Sequence, residues 1–105
     1  MTAKEWLVKT FDKVKCPLPM TRPRALCADG FSISIQANQW VYCTPKKLLP
    51  DGNYTFVELG FASQYEELLD EYSEGTVYPY VPMEVVEKVI EKHGGIVGED
   101  ARWED

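Results

Sequence analysis

A chain of 105 residues with 45% apolar and 27% charged residues is long enough for one core and too short for two, and its composition is globular, not disordered. Its apolar runs stop at three or four residues, against the roughly 20 that a bilayer-spanning helix needs. The start is charged at Lys4 and Glu5 and lacks the apolar stretch of a secretory signal, so the expectation is a cytoplasmic protein.

Thr2 and Glu5 fit the S/T-x-x-E capping box, which predicts a helix from about 3 to 15. Trp6, Leu7, Phe11 and Val14 fall on one face with Thr10 between them, and Cys16-Pro17 ends the helix. Asp29-Gly30 is a strong hairpin signal; it separates a short arm, Arg24 to Cys27, from Phe31 to Gln36. In the second arm Phe31, Ile33 and Ile35 alternate with Ser32, Ser34 and Gln36, so one face is apolar and the other polar. Trp40-Val41-Tyr42 continues that strand or forms a separate short one. A second turn at 50–53 leads into a third strand, Tyr54 to Phe61, rich in aromatic and β-branched residues.

Ser63 and Glu66 give a second capping box and a helix near 64–73, with Tyr65, Leu68, Leu69 and Tyr72 inward and Glu66, Glu67, Asp70 and Glu71 outward, Glu74 lying just beyond. Thr76 to Val81 is extended, and Pro79 confines it to an edge strand or a loop. Pro82 opens the last helix, near 83–93, whose buried stripe is Val85, Val86, Val89 and Ile90, with Glu84, Glu87, Lys88, Glu91 and Lys92 solvated. Gly94-Gly95 supplies its left-handed cap. The fold expected is α+β: a small antiparallel sheet packed by two or three helices in a single domain over 1–97, followed by an acidic, frayed tail over 98–105.

The chemistry is sparse. Cys16, Cys27 and Cys43 are odd in number and widely spaced, with no C-x-x-C pair and a single histidine, so neither a disulfide framework nor a metal site is expected, and no cofactor. His93 ends a helix, where an imidazolium meets the helix dipole; that points to a structural role before a catalytic one. No phosphate-loop, dinucleotide or metalloprotease motif is present, and the expectation is that the chain is not an enzyme.

Charge is the stronger guide. Residues 1–57 carry eight Lys or Arg against four acids, a balance of +4, and residues 58–105 carry three against thirteen, a balance of −10. Phosphate backbones are held by clustered Lys and Arg, so direct nucleic-acid binding is not expected, whereas a basic protein surface is attracted and steered. Two candidate contact sets follow: the acids Glu66, Glu67, Asp70, Glu71 and Glu74, and the aromatics Trp40, Tyr42, Tyr78 and Tyr80. Tyr and Trp beside acids make good anchors.

The stretches ADGFSISIQANQWVYCTPK and TVYPYVPMEVVEKVIEKHGGI resemble small proteins carried on prophages and mobile elements of gut bacteria, and the chain as a whole is similar to the type II-A anti-CRISPR proteins among them. That resemblance implies a stoichiometric inhibitor of an RNA-guided type II effector nuclease in the bacterial host cytoplasm. Anti-CRISPR families share no motif, so it carries no residue role onto this chain. The alternatives are a mobile-element binding module with a different partner, or an enzyme that modifies the nuclease.

Overall fold

In a computed structural model, which describes residues 1–14 and 21–101, Thr2 opens the first helix as its sequence requires. The Thr2 hydroxyl accepts from the Glu5 N–H at 3.1 Å, and the Glu5 carboxylate accepts from the Thr2 N–H at 2.8 Å. Helix α1 spans Ala3–Lys9, shorter than the 3–15 pattern suggested. Beyond Thr10 the chain tightens into a 3-10 helix, Phe11–Lys13. The Thr10 hydroxyl donates to the Trp6 carbonyl at 2.7 Å, the local bonding through which Thr competes with a regular helix. Cys16 and the Pro17 stop signal lie outside the described residues.

The hairpin forms at Asp29-Gly30, with Gly30 at φ +96° and the Asp29 carboxylate accepting from the Phe31 N–H at 2.9 Å. Strands β1 (Ala25–Cys27) and β2 (Ser32–Gln36) pair antiparallel, with Ala25 opposite Ile33. β3 (Phe56–Gly60) pairs with β2, and β4 (Val77–Pro82) with β3. β5 (Ile96–Glu99) pairs with β1, so the sheet has five strands in the order β4-β3-β2-β1-β5, every neighbouring pair antiparallel. β1 to β4 form a meander. Helix α2 (Met83–Lys92) then carries the chain from the β4 edge to the β5 edge.

The expected tail is corrected here. Ordered structure does not end at residue 97: β5 continues to Glu99, and the Asp100 N–H donates to the Arg24 carbonyl at 2.9 Å, because β1 needs a second neighbour for its backbone groups. The polar face of β2 is covered at both its ends. Ser32 and Gln36 are buried. The Gln36 amide accepts from the Arg22 N–H and donates to the Arg22 carbonyl, both at 2.9 Å, imitating a strand partner. Ser32 is held by Arg24 and by the Ser63 hydroxyl. Trp40-Val41-Tyr42 forms a bend and belongs to no strand, with Asn38 Oδ1 accepting from the Trp40 and Val41 N–H groups.

The core gathers Trp6, Leu7, Phe31, Ile33, Ile35, Val57, Leu59, Leu69, Val86, Val89, Ile90 and Ile96. Arg22 is buried with it; its guanidinium donates to Thr10 Oγ1, the Leu7 carbonyl and the Ala37 carbonyl. It therefore ties the end of α1 to the end of β2, giving the last turn of the helix a cationic donor. A radius of gyration of 12.4 Å is what one domain of this length gives, about 13 Å per 100 residues. No helix among the described residues is long and apolar enough to cross a membrane.

Candidate docking surface

The acidic stretch after β3 folds by a different period from the one its sequence suggested. Residues Glu67–Tyr72 form a 3-10 helix, in which side chains three apart eclipse. Glu66, Leu69 and Tyr72 therefore share the inward side, while Leu68 is exposed and Tyr65 is 74% exposed. The predicted Ser63–Glu66 capping box does not form. Ser63 instead bonds Ser32 through both its N–H and its hydroxyl, and Glu66 itself caps the 3-10 helix, accepting from the Leu68 N–H at 3.0 Å.

The inward turn of Glu66 is explained by what it meets. His93, at the C-terminus of α2 and only 5% exposed, places Nε2 2.7 Å from Glu66 Oε1 and Nδ1 2.6 Å from Asp29 Oδ2. Lys92 Nζ reaches Glu66 Oε2 at 3.0 Å. The ring stacks on Phe31, centroids 4.0 Å apart and planes 11° apart. Carboxylates only accept, so the ring donates to both at once only when it carries hydrogen on both nitrogens. Burial opposes ionisation of Glu66, but the Leu68 N–H, His93 and Lys92 together outweigh it and hold its carboxyl below the usual range. At Asp29 burial is likewise outweighed, by the Phe31 N–H and then His93. The cluster joins the hairpin turn, the acidic stretch and the end of α2. Both ring nitrogens are engaged and one ring face is covered by Phe31.

Glu66 is thus removed from the predicted contact set, while Glu67, Asp70, Glu71 and Glu74 remain exposed between residues 67 and 74. Asp70 accepts from the Tyr65 hydroxyl. The aromatic set divides as well. Trp40, Tyr42 and Tyr80 are 57%, 49% and 45% exposed, whereas Tyr78 is half-buried against the core. Tyr42 and Tyr80 lie together, ring centroids 5.7 Å apart, and the Tyr80 N–H donates to the Tyr42 carbonyl. Tyr54 is buried, its hydroxyl donating to the Lys47 carbonyl and accepting from the Leu49 N–H.

No known family model, curated protein or solved structure matches the chain.

The thiols fit packing. Cys27 and Cys43 are buried and free; burial, with Asp29 nearby, pushes Cys27 up to about 11 and burial raises Cys43, so neither supplies a thiolate nucleophile. Among the described residues no three His, Cys, Asp or Glu side chains gather to hold a metal ion. The feature missed from the sequence was the carboxylate–histidine–carboxylate cluster. A hint lay in Asp29 beside the turn glycine and in His93 before Gly94-Gly95, two turns that the fold packs together.

Proposed function

We propose that the protein is a stoichiometric inhibitor of an RNA-guided type II effector nuclease in the bacterial host cytoplasm, acting by protein–protein contact and without turnover. The observation that carries the reading is the set of exposed carboxylates at Glu67, Asp70, Glu71 and Glu74, on a stretch anchored to the body of the domain by buried Leu69 and by the bonds of Glu66 to His93 and Lys92. Charge held on an anchored support attracts a basic partner without first having to be ordered. Such effectors keep nucleic acid in positively charged channels, and the likeness to anti-CRISPR proteins supplies the partner class. Contact of this kind blocks either DNA loading or the later conformational change that licenses cleavage.

A titration of DNA cleavage against the protein tests this reading. An endpoint near equimolar supports it; inhibition far below one-to-one means an enzyme, and no effect at large excess means a binding module with another partner. Reversing Glu67, Asp70, Glu71 and Glu74 to Lys is expected to preserve the fold, since exposed substitutions typically change stability by about 0.5 kcal/mol or less, and to slow association while weakening its salt dependence. Unchanged inhibition with an unchanged salt profile would reduce the acidic stretch to a solubility feature.

A further inference from the structure

Among the described residues, two non-glycine positions have positive φ, and both are bulky aromatics: Phe61 at +51° and Tyr80 at +51°. That region is disfavoured for any side chain with a Cβ and is an outlier for a bulky one. Neither ring compensates by full burial, since Phe61 is 52% and Tyr80 45% exposed. Tyr80 lies within the β3–β4 ladder and Phe61 just past its end. Val57 faces Val81 and Leu59 faces Tyr78, so Pro79 and Tyr80 together oppose Glu58 in a bulge, a device that re-aims a side chain. Phe61 follows the last ladder pair, and with Ala62, Gly75, Thr76 and Tyr78 it lines a recess of about 290 Å³. Strained backbone of this kind clusters at functional sites, and here it carries two half-exposed aromatic rings.

We propose that these exposed aromatics, the Tyr42–Tyr80 pair together with Trp40, two residues before Tyr42 in the chain, and Phe61, past the end of the ladder, anchor the partner interface and receive arginine or lysine side chains of a basic protein surface. The inference rests on the reading of the protein as a binder of such a partner. The occupant is indicated within the molecule: Lys46 Nζ lies 5.6 Å over the Tyr42 ring, so the face of this aromatic pair already takes a cation, as ring faces do. Charge agrees at the bulge itself, where Glu58 lies opposite Tyr80. The outer strand itself, carrying Pro79 and Pro82, is poorly suited to adding a partner strand, which leaves side chains as the means of contact.

The test separates anchoring from packing. Tyr80→Asn and Phe61→Asn place in each left-handed position a residue that tolerates it. Each variant is expected to melt at or above the wild-type temperature and to inhibit the nuclease about tenfold less well, the loss typical of an interface anchor. Wild-type potency in both variants would overturn the proposal, as would a melting temperature lower by more than about 5 °C with potency unchanged. If the wild-type chain leaves the nuclease untouched, the functional reading fails by itself. The aromatic contact is then decided by NMR titration of the wild-type chain with a hexa-arginine peptide, which also decides any case in which a variant does not fold. Shifts confined to Trp40, Tyr42, Lys46, Phe61, Tyr78 and Tyr80 support it, and shifts centred on 67–74, or none, overturn it.

Discussion

At His93 a buried imidazole is bracketed by carboxylates 64 and 27 residues away in the chain. The helix-end position points to a structural role, and the structure gives the ring specific partners. Both carboxyl groups have folded values below their ordinary 3.8 and 4.5. The stability they contribute is therefore in place above those ordinary values and is lost as pH falls through the lower, folded ones. Glu66, buried where Asp29 is half-exposed, carries most of the effect, because solvent screens the other pair. Urea titrations are expected to show wild type losing more stability than Glu66→Gln between about pH 6 and pH 3. Equal losses in the two proteins would remove the cluster from the acid limb.

At the scale of elements, α1 is completed by a residue from α2. By its spacing Glu87 falls on the solvated face of the last helix. Its carboxylate instead accepts from the Ala3 N–H at 2.7 Å and the Lys4 N–H at 3.2 Å, two of the four donors that a helix start leaves unpaired, while Thr2 serves Glu5. A seven-residue helix is marginal alone, so this tertiary cap matters more than its place on a charged face suggests. Glu87→Ala is expected to lower stability by about 1–2 kcal/mol, in the range of a lost cap, measured by urea titration. A change within about 0.5 kcal/mol, as for an ordinary surface position, would show that water replaces it.

For the whole molecule, β2 is the central strand, apolar on one face and covered through hydrogen-bonded polar groups at both ends of the other. Ile33, 1% exposed opposite Ala25, has no polar partner to offer a substituted carboxylate. Ile33→Asp buries an unpaired carboxyl in place of an apolar side chain, a cost of several kcal/mol that is comparable to a typical domain stability of about 5–15 kcal/mol. Loss of the native circular dichroism spectrum at 25 °C is the expected outcome, and an unchanged spectrum with an unchanged melting point would contradict the assigned inward face.

The sequence by itself determined the elements whose signals are local. The Thr2–Glu5 box, the Asp29-Gly30 turn, the edge strand with Pro79, the Val86, Val89 and Ile90 stripe and the Gly94-Gly95 cap all formed where residues a few positions apart required them. Gly94 also shows where locality ends. Its φ of +92° is a helix-cap matter, but a Cβ there would stand 2.8 Å from the Ala28 Cβ, a contact set by packing α2 against the hairpin. Likewise, Glu66 and Glu87 lie on charged stretches that look solvated along the chain, and tertiary structure drew each inward because buried donors elsewhere needed an acceptor. The 3-10 period of 67–72, the fifth strand and the emergence of Tyr42 and Tyr80 as one exposed pair were decided at that level too, since each depends on groups that meet only when the sheet is assembled.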